Sequence, residues 1–285
     1  MLAQLSRHFG VDRAGLCLRL KPHIPTIRAG FDAAEVEIAY DDQDVIATYL
    51  LLYYANYTAA GCDALARIQG LLPARDLSAV FFCGGSLPEL LATAFSMNRA
   101  NVGPKVLNAS VFDQYVEAWA WTHQITTALV GLFAPEVVLE LQSGAVDLRR
   151  RGQGVPQTVA NADLVVFQHC LNEFADSPGA IECIERIGRA APRDTVFLFL
   201  DQGKYRTVTR SMLSIRERFV AADYQVLEDC HTPYTYEPPD FFLPDELKSQ
   251  FFDGIAARDE QGRWTPGHRR ARTLNLRALC MRKRR

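Results

Sequence analysis

Long apolar runs, secretory signals and paired cysteines are missing from this sequence. None of its apolar runs reaches the about 20 residues that a membrane helix needs, and the first 13 residues lack the apolar core of a secretory signal. The seven cysteines are odd in number and include no C-x-x-C pair, which argues against a disulfide framework and against a zinc site. We therefore expect a cytoplasmic protein with reduced thiols, no metal and no membrane association.

A large net charge is also absent, since the 285 residues carry a net charge of −2. The two signs are nevertheless unevenly distributed. Residues 268–285 hold seven arginines and one lysine without an acidic residue, which leaves 23 basic against 33 acidic residues in the first 267. A basic terminus of this kind can contact RNA, an acidic protein or a phosphorylated substrate, or it can simply keep a sheet edge soluble.

The N-terminal region, residues 1–77, is predicted to be helical and to form a lid over the site. Acidic residues at positions 41, 42 and 44 precede a helix predicted over Val45–Tyr57, with an extension to Ile68 left open. Tyr54 and Tyr57 in this helix are candidates for a substrate pocket, because each has an apolar ring and a polar tip. The same spacing also suits plain core packing.

After Gly70 the pattern alternates between apolar runs and helical stretches, which predicts a parallel, doubly wound sheet. The predicted strands are Ala79–Cys83, Lys105–Leu107, Val137–Leu141, Leu164–Phe167 and Val196–Leu200. The predicted helices between them are Pro88–Met97, Asp113–Leu132 and Pro178–Ala190.

The last part of the chain departs from this alternation. Beyond a helix around Val208–Ala221, the strands Gln225–Cys230 and Thr273–Met281 look like an antiparallel pair joined by a long excursion. The first part of that excursion, His231–Phe252, is rich in aromatic residues and is a second candidate for the wall of a substrate pocket.

The clearest functional signal lies in Ala79–Leu91, which reads AVFFCGGSLPELL. A buried strand ends at Gly84–Gly85, where the missing Cβ atoms permit a tight turn and a close approach to a ligand. Ser86 and Glu89 have the spacing of a capping box at the start of a helix. The free N–H groups of that helix would then point at whatever the loop binds. An ordinary strand-to-helix turn is the alternative.

Four segments together resemble the class I S-adenosylmethionine-dependent methyltransferases, over about residues 75–285. FFCGGSLPELL is similar to the glycine-rich first motif of that family, KVLNASVFD to the second, ADLVVFQHCLNEF to the fourth and VFLFLDQGK to the fifth. The resemblance implies an α/β fold with a doubly wound, Rossmann-like seven-stranded sheet whose last strand is reversed, in a domain spanning residues 78–285. It also implies S-adenosylmethionine as cofactor and methyl transfer to an O or N acceptor in a small molecule, RNA or protein, a small molecule being favoured.

The resemblance also implies where the cofactor binds, at the carboxyl ends of the strands beside the first strand. Asn108 stands where the family usually has an acidic residue for the ribose hydroxyls, and Asp113 is a substitute if its loop folds back. Gly84, Gly85 and Ser86 would lie along the methionyl part of the cofactor. The implied cofactor-binding residues are Cys83, Gly84, Gly85, Ser86, Asn108, Asp113, Ser143, Asp147 and Gln168.

The segment after the fourth strand would lie beside the transferred methyl group. His169 is the candidate general base, although a structural histidine is an open alternative. Asn172 and Glu173 are candidates for substrate binding. Alignment of the reacting atoms alone can supply much of the catalysis, so a base is needed only for some acceptors. Cys170 does not follow a proline, which favours a buried thiol over a nucleophile.

Two other functions remain open at this stage. A catalytically silent S-adenosylmethionine-fold protein that acts as a binding partner is suggested by Asn108 and the basic terminus. A nicotinamide-dependent oxidoreductase is the third hypothesis, but its G-x-G-x-x-G motif would need glycine in place of Cys83 or Leu87.

Overall fold

The computed structural model describes residues 1–32, 38–74, 76–99, 105–174, 177–230, 233–236, 244, 246–252, 257–258, 264–265 and 274–284. The chain divides into two compact units. The first comprises Met1–Asn56 and Glu237–Thr273, and the second comprises Tyr57–Tyr236 and Leu274–Arg285. None of the helices in the described ranges combines the length and the apolar character that a membrane span requires. Part of the excursion predicted as a pocket wall, His231–Phe252, lies outside the described residues, namely positions 231–232, 237–243 and 245.

The described N-terminal part of the first unit is helical, as the sequence predicts. Asp12 begins the second helix by accepting a hydrogen bond from the Gly15 N–H at 2.6 Å, and Asp42 begins the fourth by accepting one from the Asp44 N–H at 2.8 Å. The helices are α1 (Leu2–Phe9), α2 (Arg13–Leu20), a 3₁₀ turn (Lys21–His23), α3 (Ile24–Asp32), α4 (Gln43–Tyr49) and a π-helical turn (Leu50–Tyr54).

The long helix predicted from Val45 towards Ile68 is confirmed, with one difference. The π turn Leu50–Tyr54 separates α4 from α5 (Ala55–Ile68), so the helical run is continuous but widened in its middle. Four of the five side chains in this turn are buried. Single π turns inside helices are rare and occur frequently at functional sites.

The second unit contains a seven-stranded sheet with the order β3-β2-β1-β4-β5-β7-β6. Strands β1 to β5 are parallel, and β7 runs antiparallel between β5 and β6. A short edge strand, Tyr234–Tyr236, also pairs with β7. The strands are β1 (Asp76–Phe82), β2 (Lys105–Asp113), β3 (Val137–Ala145), β4 (Leu164–Gln168), β5 (Val196–Gln202), β6 (Tyr224–Asp229) and β7 (Leu274–Lys283). The doubly wound fold with a reversed last strand is therefore confirmed.

The predicted ends of β2 and β3 are wrong by several residues. β2 continues six residues beyond Leu107 to Asp113, and β3 continues four beyond Leu141 to Ala145. Polar residues inside β2 concealed its length in the sequence. The strand continues past them because its backbone pairs with β1 over residues 106–112 and with β3 over residues 105–113. Asn108 consequently lies in the middle of the strand, opposite Ser78 of β1.

Aromatic side chains form much of the core on one face of the sheet. Phe167 of β4 stacks against Phe82 and Phe199, with ring centroids 5.1 and 5.0 Å apart. Phe219 packs edge-on against Phe197 at 5.1 Å and closely covers Gly188, where an added Cβ would lie 2.7 Å from its ring. The helices of this unit are α5, α6 (Pro88–Arg99), α7 (Val116–Phe133), α8 (Pro178–Ala190) and α9 (Arg206–Ala221).

The basic C-terminus forms a strand where the structure describes it, in agreement with the strand predicted over Thr273–Met281. Residues 274–283 form β7 inside the sheet, and Arg277 is buried there. Lys283 donates hydrogen bonds to the carbonyls of Gly188, Arg189 and Ala191 at the end of α8. A cation at this end of a helix also complements the helix dipole. Contact of the basic terminus with RNA or an acidic protein stays a prediction, and four of its arginines lie outside the described residues: Arg269, Arg270, Arg272 and Arg285.

Candidate functional site

The turn after β1 has an unusual backbone. Cys83, Gly85 and Leu87 all have positive φ angles, of 55°, 46° and 65°. The Leu87 N–H donates to the Gly84 carbonyl at 2.7 Å and closes the turn before α6 begins. Positive φ at residues other than glycine costs about 1–3 kcal/mol each, and such strain clusters at functional sites.

The side chains around the turn leave little room for a Cβ atom at Gly84 or Gly85. A Cβ on Gly84 would lie 2.8 Å from the Leu87 side chain and 3.0 Å from a Glu89 carboxyl oxygen. A Cβ on Gly85 would lie 3.3 Å from the indole ring of Trp119, which extends from α7. The glycine pair was predicted to leave room for a ligand, and in the structure it also leaves room for neighbouring side chains, including those of Leu87, Glu89 and Trp119.

Helix α7 holds this turn through two further side chains that the sequence did not indicate. His123 Nε2 donates to the Gly85 carbonyl at 3.0 Å, a role that fixes its tautomer because a carbonyl oxygen only accepts. Thr126 donates to the Ser86 carbonyl at 2.8 Å. Burial lowers the pKa of His123, so its imidazole is neutral at neutral pH.

Asp113 ends β2 and bridges to the glycine turn. One carboxylate oxygen accepts from the Gly85 N–H at 3.2 Å, and the other accepts from the Tyr115 N–H at 2.7 Å. Burial raises the pKa of Asp113, and the two N–H groups oppose that increase. The prediction that Asn108 stands at the end of the second strand is wrong, because the acidic residue at that end is Asp113.

The predicted capping box at Ser86 and Glu89 is also wrong. The Ser86 hydroxyl is buried and has no hydrogen-bond partner among the described residues. Glu89 accepts from its own backbone N–H instead. Burial, together with the charge of Asp113, raises the pKa of Glu89 to about 8. A turn with two buried carboxyl groups and a buried hydroxyl is suited to a cationic, hydrogen-bonding ligand.

The turn after β4 places Gln168 and His169 against α5. Gln168 donates to the Tyr57 carbonyl at 2.8 Å, while its own carbonyl oxygen is buried without a partner among the described residues. The His169 ring stacks on the Tyr57 ring with centroids 3.6 Å apart. Its φ of 55° is again in the left-handed region. The side chain is 4% exposed, and neither ring nitrogen has a hydrogen-bond partner in the described part of the chain.

Asp201 at the carboxyl end of β5 is a site residue that sequence reasoning missed. Its Oδ1 lies 3.8 Å from Nδ1 of His169. Two backbone groups hold the carboxylate in place, because the Leu171 and Gln202 N–H groups donate to it at 2.7 and 2.6 Å. An acidic residue directly after the apolar run VFLFL was the available signal. Gln202 also donates to the Tyr57 hydroxyl at 3.1 Å.

Several predicted residues have structural partners of their own. Asn172 accepts a hydrogen bond from Thr207 of α9 at 3.0 Å, and the Asp147 carboxylate accepts from the backbone N–H and the side chain of Arg149. Ser143 is exposed within β3. The roles proposed for these residues, for Glu173 and for Tyr54, which is buried in the first unit, stay predictions.

The two cysteines nearest the site contact each other. The thiols of Cys83 and Cys170, which follow the neighbouring strands β1 and β4, share a hydrogen bond. Burial raises the pKa of Cys170 well above its ordinary value, so its reactive thiolate form is strongly disfavoured. The prediction of a buried thiol at Cys170 is confirmed.

No protein-family model matches the sequence, and no curated protein matches it either. The fold is similar to solved structures at low identity. The YcgJ protein from Bacillus subtilis is 11% identical with a TM-score of 0.45, covering 79% of this chain and 99% of its own. A putative methyltransferase from Bacillus halodurans is 12% identical with a TM-score of 0.45, covering 78% and 99%. The N-methyltransferase NodS from Bradyrhizobium japonicum is 8% identical with a TM-score of 0.44, covering 79% and 95%.

These likenesses are remote, so the fold is defined by the strand order itself. A parallel sheet in the order β3-β2-β1-β4-β5, closed by an antiparallel β7 between β5 and β6, is the Rossmann-like arrangement of class I methyltransferases. In such a sheet, ligands bind beyond the carboxyl ends of the strands where the strand order reverses, beside β1 and β4. The glycine turn and the His169 turn both lie there.

Proposed function

We propose that the second unit binds S-adenosylmethionine at the turn after β1 and transfers a methyl group to an oxygen or nitrogen acceptor. The strongest support is the bridge from Asp113 to the Gly85 N–H, which joins the ends of β2 and β1 where the fold places its ligands. The reversed β7 is consistent with the same activity.

The residues at this edge fit the cofactor. When bound, it supplies an activated methyl group on a sulfonium ion, and it carries an ammonium group and two ribose hydroxyls. The buried Asp113 carboxyl group complements those positive charges, and the Glu89 carboxyl group does so once it loses its proton. Each Asp113 oxygen accepts one N–H and retains a lone pair for a ribose hydroxyl. The Ser86 hydroxyl and the Gln168 side-chain carbonyl are further groups for the ligand.

In this proposal His169 is the general base and Asp201 is its positioning residue. His169 Nε2 would take the proton from an acceptor O–H or N–H, while the fixed Asp201 carboxylate orients the ring through Nδ1. The distance of 3.8 Å between these atoms is longer than a hydrogen bond, but such contacts tighten in substrate complexes. Tyr57 covers the imidazole, so a substrate reaches it only when the tyrosine ring moves.

The alternative is a protein that binds the cofactor without catalysis, and the enclosure of His169 supports it. A turnover assay separates the two functions. The protein is incubated with methyl-labelled S-adenosylmethionine and fractionated small-molecule, RNA and protein extracts, and transfer of the label is followed. Label transfer that requires the intact glycine turn supports the enzyme. Saturable cofactor binding without transfer to any fraction would support the silent protein.

A further inference from the structure

A second cleft lies on the same unit, away from the glycine turn. It is formed by the loop 149–152 and by the exposed side of α8, and its volume is about 460 Å³. The connection from β3 to β4, residues 146–163, is fully described and contains only a 3₁₀ turn, Gln157–Asn161, instead of an α-helix. The side of α8 that faces loop 149–152 is therefore left open.

The loop that forms one wall is fixed against the start of α8. Gly179 in the first turn of α8 is so close to the loop that an added Cβ would lie 2.9 Å from the Arg149 carbonyl oxygen. The Asp147 carboxylate accepts from the Arg149 N–H at 3.0 Å, and the Arg150 N–H donates to the Asp147 carbonyl at 3.1 Å. Gly152 then turns the chain with a φ of 79°. These contacts hold the loop that carries Arg151 against the start of α8.

The charges in the cleft are not balanced. Arg151 and Arg186 are exposed and have no carboxylate partner in the described part of the chain. Glu185 forms ion pairs with both Arg189 and Arg218, at 2.6 Å each, so its charge is already shared. Glu182 is the remaining carboxylate of the lining, and it is exposed.

We propose that this cleft binds a phosphorylated, hydroxyl-bearing small molecule of nucleotide size. Unpaired guanidinium groups from two elements suit a phosphate, whose several oxygens can accept from more than one arginine, whereas a single arginine satisfies a carboxylate. Glu182 disfavours a bare anion but can accept from a sugar hydroxyl. The volume is in the range of small-ligand pockets, about 300–1,000 Å³. This inference is independent of methyl transfer.

Calorimetric titration with ribose 5-phosphate, adenosine 5′-monophosphate and adenosine tests the proposal. We expect both phosphates to bind and adenosine not to bind in this cleft. Arg151→Gln and Arg186→Gln should each weaken binding of the phosphates at least about tenfold, because each removes a charge-assisted pair. Arg150→Gln is the matched control: it removes the same charge from the adjacent residue, which does not line the cleft, and should change affinity less than about twofold at physiological salt.

Glu182→Gln should have opposite effects on the binding of two ligands. It should weaken ribose 5-phosphate about two- to fivefold by removing the hydroxyl acceptor, and it should tighten inorganic phosphate by removing a repulsive charge. Thermal unfolding of each variant checks that the fold is intact. Failure of both phosphates to bind at millimolar concentration, or equal losses in Arg150→Gln and Arg151→Gln, would overturn the proposal. Phosphate binding that is insensitive to both cleft arginines would place the ligand elsewhere and would overturn it as well.

Discussion

The turns after β1 and after β4 leave the same edge of the sheet on neighbouring strands, but they differ in how many of their polar groups have hydrogen-bond partners. In the first turn, the Gly85 N–H, the Gly85 carbonyl and the Ser86 carbonyl all have side-chain partners, and the Ser86 hydroxyl alone is buried without one among the described residues. In the second, both ring nitrogens of His169 and the side-chain carbonyl of Gln168 have none among the described residues.

This difference indicates two roles. Backbone groups that are fully paired hold a turn in one shape, which is what a preformed cofactor cradle requires. Buried polar groups without partners cost about 1–3 kcal/mol each, a cost that a ligand can remove. We infer that the first turn is a rigid binding element and that the second keeps its hydrogen-bonding capacity for the reacting groups.

The largest expected effect is at the rigid turn. Gly85→Val should weaken S-adenosylmethionine binding at least about 100-fold, which is about 2.7 kcal/mol. Valine is strongly disfavoured at a φ of 46°, and its Cβ would press on Trp119. Calorimetric titration measures the loss.

Gly10→Val is the control for this experiment. Gly10 in the first unit also has a positive φ, of 65°, but an added Cβ would meet nothing within 4 Å. It imposes comparable backbone strain away from the turn and should leave cofactor affinity unchanged. Affinity within threefold of the original protein in Gly85→Val would remove this turn from the site.

The second effect concerns the turn after β4. His169→Ala should lower kcat for a hydroxyl acceptor about 10²- to 10⁴-fold and leave cofactor affinity nearly unchanged. Asp201→Asn should lower kcat less, about tenfold, because it disturbs the orientation of the base and leaves the base in place. Activity within threefold in His169→Ala would assign His169 to structure and leave alignment as the mechanism.

Asp113 and Asn108 form a matched pair on one strand. Asp113→Asn should weaken cofactor binding at least about tenfold, or about 1.4 kcal/mol, because it removes the charge that strengthens hydrogen bonds to ribose and to Gly85. Asn108→Asp should change affinity less than about twofold, since Asn108 lies in the middle of β2. The reverse order of effects in titrations of the two variants would place the ribose beside Asn108.

The smallest effect is the pH dependence contributed by Glu89. Its pKa of about 8 in the free protein should fall when a cationic ligand binds, so binding releases a proton and affinity rises a few-fold between pH 6 and pH 8. Glu89→Gln should flatten this dependence in calorimetric titrations. A cofactor affinity with the same pH profile in both proteins would show that the ligand does not sense Glu89.

Stability should respond to the same group in the opposite direction. The folded-state pKa of Glu89 is raised above its ordinary value of 4.5, so the folded protein binds the proton more tightly than the unfolded chain does. The free energy of unfolding therefore falls as the pH rises from about 4.5 to about 8. Urea denaturation across this range should show a shallower decline in Glu89→Gln.

The sheet was predictable because its signals are local and repeated. Buried strands such as Leu164–Phe167 alternate with bounded helices such as Pro178–Ala190, and this alternation specifies a parallel, doubly wound sheet. The extent of β2 was not predictable in the same way. Its polar residues interrupt the apolar pattern, and only the pairing with both neighbours reveals that the strand continues to Asp113.

The backbone turn of the candidate site could be predicted from the sequence, but the side chains that contact this turn could not. The glycine pair is visible in the sequence, whereas Trp119, His123 and Thr126 reach the turn from α7, more than 30 residues away along the chain. Asp201 likewise approaches His169 only through the pairing of β4 with β5. The strand in the basic terminus was predicted as Thr273–Met281, whereas the hydrogen bonds of Lys283 were not, because partners such as the Gly188 carbonyl lie far away along the chain.

The most direct test of the central claim is a calorimetric titration of the unmodified protein with S-adenosylmethionine and, in parallel, with NAD. We predict saturable binding of one S-adenosylmethionine per chain and no binding of NAD, because a G-x-G-x-x-G motif would need glycine in place of Cys83 or Leu87. Absence of S-adenosylmethionine binding at millimolar concentration, or binding of NAD in its place, would contradict the account.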